Sequence, residues 1–279
     1  MAASAEFEFE VIEKETAEFS FTDCIDTKRE EQLITEFVGL GLEESDPNHW
    51  HLHKKTDKVQ VDYKISKQEQ IYTVRCQTVM SNADMADYYK FCESSANRMS
   101  YLNSFMGDAQ TSMVQTIDEN HSVLYSCIKP GALNSYLVAP RDFCYIQTRF
   151  ALEDYKEPIS DIVADAQHPE TKEDEVYDYV VGSFCYQNNN HPYYVNEVGQ
   201  NQIRGRLLRS GYILAQLDYD SFRVVNIFCC DWSGKMPYWY LNNFVASYSA
   251  EKISNFHREW HDKVVKAIED EQETDSDLE

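Results

Sequence analysis

The sequence predicts an α+β fold in which a curved antiparallel sheet of about nine strands is covered by an amphipathic helix at the C-terminal end. Three observations carry this. Strand-like segments come in blocks, three together and then six together, whereas a parallel sheet would alternate them with helices. Short turn-rich pieces such as "DENH" and "NNNHP" separate them, as antiparallel connections require. From about Ser249, Ile253, Phe256, Trp260, Val264 and Ile268 recur every three or four residues with charges opposite, which marks a helix with one apolar face.

The elements follow in order. Residues 1–26 alternate acid and apolar ("EFEFEVIE"), a pattern open to an extra strand but read, at this charge density, as an acidic, disordered arm. From Thr27, Leu33, Phe37 and Leu40 fall at helical spacing, with Gly39 and Gly41 as the expected stop. "HWHLHKK", "KVQVDYKIS" and "IYTVRCQTVM" then read as a meander of period two. A second helical region is expected after an N-cap at Ser81 or Asn82, with Met85, Tyr88, Cys92, Met99, Leu102 and Phe105 near one face. "TSMVQTID", "SVLYSCIK", "DFCYIQTRF", "VYDYVVGSFCYQ", "GYILAQLD" and "FRVVNIFCCDW" complete the strands. Residues 27–268 form the expected domain, and 269–279 an acidic tail.

The net charge of −23 is unevenly placed: residues 1–46, 153–175 and 269–279 carry −11, −7 and −7, which leaves the rest at about +2. The body is therefore close to neutral, and no basic stripe accompanies the 19 tyrosines and 14 phenylalanines, so nucleic acid is not the expected partner. Apolar lining is the better use of those rings. The start "MAASAEFEFEVIEKE" has neither the basic residues nor the apolar run of a signal peptide, and no stretch approaches a membrane span of ~18 apolar residues. A cytoplasmic protein, peripheral at membranes, is expected. Eight cysteines without a CxxC suit buried, reduced thiols.

Catalytic signatures are missing. There is no GxSxG, Walker loop or GxGxxG, and no Ser/Cys, His and acid set suggests a triad. His49, His51 and His53 share one face of a strand, yet no fourth ligand accompanies them. The reading kept is that Trp50 and Leu52 point inward and the histidines face water. His257 and His261 lack the Glu that a zinc hydrolase needs after its first His, since Arg258 stands there. No metal, cofactor or catalytic residue is expected. In "CDWSGKMPYWYLNNF", Asp231 ends a strand, Gly234 turns and Pro237 stops it, a hinge for the final helix.

"APRDFCYIQTRF", residues 139–150, resembles the "SPRDFVYVR" strand of START domains, the steroidogenic acute regulatory protein related lipid transfer family. Other features agree in order. Trp50 precedes the first strand, and Arg98 and Tyr101 stand where the family often has Arg-x-x-Trp-Asp. "IRGRLLRSGYILAQL" matches an Arg-Gly segment leading into a strand, and Asp231, Gly234, Pro237 and Trp239 match an Asp-x-x-Gly-x-x-Pro-x-Trp segment. The likeness runs from about His49 to Ile268. It implies a helix-grip fold, in which the sheet curls around the C-terminal helix to enclose one lipid, a sterol or a phospholipid, with ceramide behind. It further implies transfer of that lipid between membranes, or a sensor or adaptor that signals to a protein partner through the acidic arms. Ser276 in "ETDSDLE" is then a candidate site for an acid-directed kinase.

The resemblance also implies site residues. Phe143, Tyr145 and Gln147 line the cavity from one strand face, with Ser183, Phe256 and Trp260 across it. Ser126 stands where phosphatidylcholine carriers place an aromatic cage and ceramide carriers an amide, and Arg98 and Tyr101 reach toward the head group. Leu102 replaces the aspartate that partners the arginine in phosphate-binding members. The loop "PGALNSYLVAP" offers Leu133, Tyr136, Leu137 and Val138, with Val264 of the final helix, as a membrane-contacting lid. Arg141 and Asp142 are read as a satisfied charge pair fixing the start of the cavity strand.

Overall fold

The computed structural model describes residues 25, 27–42, 50–55, 59–66, 71–93, 109–128, 139–151, 180–186 and 202–234, together with 255, 258–260 and 262. Helix α1 spans Thr27–Leu42, followed by β1 (His51–Lys55), β2 (Val59–Ser66), β3 (Ile71–Ser81) and helix α2 (Met85–Glu93). Then come β4 (Ala109–Thr116), β5 (His121–Ile128), β6 (Arg141–Ala151), β7 (Val180–Tyr186), β8 (Ile203–Arg204), β9 (Arg206–Asp218) and β10 (Ser221–Asp231). Nine strands lie in the order β1-β2-β3-β10-β9-β7-β6-β5-β4, each antiparallel to its neighbours. The two-residue β8 joins the start of β6 in parallel, pairing Arg141 with Ile203 and Asp142 with Arg204. The fold is thus the curved antiparallel sheet that the sequence predicts, plus one short bridge.

Strand parity divides the apolar residues between two faces. The inner face gathers Phe143 and Tyr145 of β6, Val181 and Cys185 of β7, Tyr212 and Leu214 of β9 and Phe222, Val224 and Phe228 of β10. Met85, Tyr88 and Cys92 of α2 pack on it, as their spacing predicts. The outer face carries Ile146, Phe150, Phe184, Ile213 and Ile227, and α1 lies against it. Strands β7 and β9 approach backbone to backbone. A Cβ at Gly182 would stand 2.4 Å from the Tyr212 carbonyl oxygen, and one at Gly211 2.0 Å from that of Ser183.

Several expectations are corrected. The buried stripe of α1 is Ile34, Phe37, Val38 and Leu42, with Leu33 and Leu40 half-buried at its margins. Gly39 and Gly41 do not stop the helix, because Gly41 is where it comes down on the sheet: a Cβ there would meet Ile213 Cδ1 at 2.5 Å. The cap of α2 is neither Ser81, which ends β3, nor Asn82, which is left-handed at φ 54°. It is Asp84, whose Oδ1 accepts from the Asp87 N–H at 2.9 Å. Trp50 is buried, with the Lys64 ammonium and the Arg75 guanidinium 4.4 and 4.1 Å from its ring centroid. Leu52, expected to point inward, is 60% exposed. It sits on the edge strand, beside a register shift between Leu52 and Lys54, and none of the described elements packs over it.

The charge pair of the β6 start is also rearranged. Neighbours on a strand project to opposite faces, so Arg141 and Asp142 do not meet. Arg141 is buried, and its guanidinium donates to the carbonyls of Ala139, Trp232 (3.2 Å) and Ser233 (3.3 Å). Asp142 accepts two bonds from Arg204, at 3.0 and 2.8 Å, and one from the Tyr125 hydroxyl at 3.2 Å. One residue ties β6 to the turn after β10, the other to β8 and β5. That turn keeps its predicted form, with Gly234 at φ 68° and the Ser233 N–H bonded to Asp231 Oδ1 at 2.7 Å.

The outer face is closed by a charge cluster that the sequence does not suggest. Glu30, in the first turn of α1, is 5% exposed and accepts from Tyr186 OH at 2.9 Å, Thr148 Oγ1 at 3.0 Å and His121 Nε2 at 3.1 Å. His121 Nδ1 meets Asp118 at 2.7 Å. Burial works against the His121 charge, but the two carboxylates, Glu30 first, raise its pKa above the ordinary imidazole value.

Candidate functional site

Among the described residues the inner face is mostly apolar, and it carries three hydrogen-bonded sets of polar groups. On β4, β5 and β6, Thr111 Oγ1, Ser126 Oγ and the Tyr145 hydroxyl form a chain with spacings of 2.7 and 2.8 Å. Burial raises the Tyr145 pKa, so this hydroxyl stays neutral. Between β6 and β7, the Gln147 amide bonds the Ser183 hydroxyl at 2.6 Å. Two residues further along β6, Arg149 Nε lies 2.7 Å from Glu93 Oε2 of α2, and the Tyr212 hydroxyl donates to Glu93 Oε1 at 2.6 Å.

Among the described residues, buried polar atoms of this face without a hydrogen-bond partner include Gln147 Oε1, Tyr72 OH and Trp232 Nε1. Burial raises the pKa of Tyr72, so its hydroxyl is a neutral donor as well as an acceptor. On the outer face Gln115 Oε1 of β4 also lacks a partner, but Glu30, Thr148 and Tyr186 satisfy one another there and Arg75 pairs with Asp62 at 3.3 Å. Groups of this kind are almost always paired in folded proteins, so each orphan calls for a partner, a water, an ion or a ligand.

Of the predicted site residues, Ser126, Phe143, Tyr145, Gln147 and Ser183 are brought together on the inner face. Trp260 joins them from the C-terminal helical residues, buried edge-on against Tyr88 with ring centroids 4.9 Å apart and against Phe222 at 6.4 Å. Arg98, Tyr101, Leu102, Phe256 and Val264 lie outside the described residues, as do the loop residues Leu133, Tyr136, Leu137 and Val138, and both acidic termini. Sequence reasoning missed Tyr72, Thr111, Glu93, Arg149, Tyr212 and Trp232. Arg149 was within reach, since it continues the Phe143, Tyr145, Gln147 parity; Glu93 was not, because only the packing of α2 brings it there.

His51 and His53 flank the Tyr63 ring, with centroids 5.3 and 6.2 Å away. Among the described residues no three metal-ligating side chains converge, and no helix is long and apolar enough to cross a membrane.

A curved antiparallel sheet with α2 across its inner face and a tryptophan from the C-terminal helical residues beside it is the START helix-grip fold. Human StAR-related lipid transfer protein 5 is similar at a TM-score of 0.54 and 15% identity, over 82% of this chain and 99% of that one. Human STARD10 is similar at 0.53 and 14%, over 87% and 85%. No family model and no curated protein sequence matches this chain.

Proposed function

We propose that the protein binds a single lipid against the inner face of the sheet, enclosed by α2 and the C-terminal helix, and exchanges it at membranes. The observation that carries this is on the inner face, which keeps Gln147 Oε1, Tyr72 OH and Trp232 Nε1 unmatched amid aromatic and aliphatic side chains, whereas on the outer face the buried charges and hydroxyls are matched and Gln115 Oε1 is not. A lipid serves such a surface twice, burying hydrocarbon and supplying the missing polar partner. Withdrawing it from a bilayer costs ~0.8 kcal/mol per methylene, which an apolar interior offsets. The START-type fold supports the same reading.

Phe143, Tyr145, Phe256 and Trp260 then line the chains, and Ser126, Gln147, Ser183, Arg98 and Tyr101 the polar end. Leu133, Tyr136, Leu137, Val138 and Val264 form the membrane-touching lid, and binding rather than catalysis is the activity. Native mass spectrometry of the full-length protein, repurified after incubation with mixed-lipid vesicles, is expected to give a one-to-one lipid adduct. Bare protein at every lipid class offered overturns the reading. Transfer between two vesicle populations then separates a carrier from a sensor that binds lipid and releases it slowly.

A further inference from the structure

The polar groups of the inner face also bear on which lipid is held. Gln147 is 3% exposed, and it lies in the row of β6 side chains that packs inward, with Cys185 opposite it on β7. One arm of its amide is bound to Ser183 Oγ at 2.6 Å, and the other arm has no partner. An amide carries one donor group and one acceptor, and a serine hydroxyl is both at once. The chemical group that completes this pair whichever way the amide is turned is a hydroxyl, which donates and accepts together. A phosphodiester offers acceptors alone and brings a negative charge, so in a buried site it needs a cation beside it.

The cation next in the same row is Arg149, and its charge is already committed: its Nε is 2.7 Å from Glu93 Oε2. The Tyr212 hydroxyl, which donates to the same carboxylate at 2.6 Å, adds no charge to spare. Arg141, at the start of the strand, is spent on the backbone carbonyls of Ala139, Trp232 and Ser233. The described part of β6 thus presents the ligand with a neutral, two-way hydrogen-bonding pair and a neutralised ion pair.

We infer that the site selects a neutral lipid with a free hydroxyl, of the sterol, diacylglycerol or ceramide kind, over a phospholipid, with that hydroxyl on the Gln147–Ser183 pair and with Arg98, set at the polar end by the lipid-binding reading, not engaged by the head group. This rests on the lipid-binding reading above. It assigns Gln147 and Ser183 as the residues that read the head group, and it makes the hydrogen of the ligand hydroxyl part of what is read.

The test uses the full-length chain and vesicles of dioleoylphosphatidylcholine containing equal mole fractions of cholesterol, dioleoylglycerol and C18 ceramide. Lipid retained on the repurified protein is quantified by mass spectrometry relative to its share of the vesicle. Dioleoylglycerol and the carrier phospholipid have the same chains, so their ratio isolates the head group. Parallel vesicles carry the O-methyl ethers of the three alcohols. At least one alcohol is expected to be enriched about 10-fold or more over the phospholipid, with its methyl ether falling back by a similar factor, as loss of one buried hydrogen bond implies. Which alcohol it is names the source of the hydroxyl.

Gln147→Leu is expected to bring the alcohol-to-ether ratio to about one, and Ser183→Ala to reduce it. If Gln147→Leu does not fold, the ether comparison on the unaltered chain decides. Phospholipid retained as well as every alcohol, or an ether held as tightly as its alcohol, overturns the inference and leaves lipid binding standing. No lipid in any arm overturns lipid binding itself, and this inference with it.

Discussion

Replacing Glu30 by alanine tests how α1 is held to the sheet. The carboxylate is 5% exposed and takes three hydrogen bonds, from Tyr186, Thr148 and His121, each 2.9–3.1 Å long. Its removal leaves the Tyr186 and Thr148 hydroxyls without this acceptor and strips the half-buried His121 of one of its two carboxylate partners. A bond to a charged group is worth ~1.5–3 kcal/mol, but the three share one carboxylate and do not add. The loss is better taken as that of one partner of a buried ion pair, about 3–5 kcal/mol. A domain is typically stable by only ~5–15 kcal/mol, so the variant is left close to unfolding, with α1 first to open.

The pH dependence has a definite sign. The His121 pKa is raised, so its contribution is complete below the unfolded value of about 6.5 and is lost as pH rises through the folded value. The Asp118 pKa is lowered, against the effect of burial, by His121 and by the N–H groups of Asn120 and His121. Its contribution is present above the unfolded value and is lost as pH falls through the folded one. The latch is therefore strongest between these two limits, and the wild type loses stability from pH 6.5 to 8.5. Urea unfolding at both pH values, with hydrogen exchange read across α1, gives the answer. A Glu30→Ala cost under ~1 kcal/mol, or a wild-type slope from pH 6.5 to 8.5 that Glu30→Gln leaves unchanged, refutes the reasoning.

Three other expectations follow from the packing. Arg141→Met removes donors from the carbonyls of Ala139, Trp232 and Ser233 and is expected to cost ~2–3 kcal/mol in urea unfolding, with the 232–234 turn gaining hydrogen exchange; an unchanged midpoint counts against the clamp. Gly211→Ala is expected to lower stability by ~2 kcal/mol or more in thermal unfolding, because the new Cβ lies 2.0 Å from the Ser183 carbonyl oxygen, and backbone cannot step aside as a side chain can; a neutral result means that β7 and β9 are not so close. Burial pushes the Cys76 thiol up to about 12, with Asp62 adding to it, and the Cys144 thiol up to about 11. At pH 8 all seven described cysteines are expected to react with Ellman's reagent only after unfolding, and fast labelling of any of them in the native protein contradicts this burial.

Local patterns in the sequence were legible where one face of one element decides the outcome. The parity of "RDFCYIQTRF" places Phe143, Tyr145 and Gln147 together, and the spacing of Met85, Tyr88 and Cys92 gives the buried side of α2. The long-range partners were not. Glu30 looks like one more acid in an acidic segment, and its acceptor role depends on Thr148 and Tyr186, 118 and 156 residues away. Gly41 reads as a stop by its composition, while its use is close contact with Ile213 across the outer face. Arg141 and Asp142 read as a pair because they are adjacent, yet adjacency on a strand is what separates them. At the site, the sequence supplied Gln147 and Ser183 by resemblance, but that one amide arm lacks a partner is visible only once β6 and β7 are in register.

The central claim is that a single lipid lies on the inner face. Photocrosslinking tests it most directly: the full-length protein is loaded from vesicles with a diazirine-bearing lipid, irradiated, and digested for peptide mapping. Label is expected on β6, β7, β9 and β10 at inner-face positions such as Phe143, Tyr145, Val181, Tyr212 and Phe228, and on the peptide carrying Trp260. Label confined to α1 and the outer face, or scattered over the exposed surface, contradicts the account.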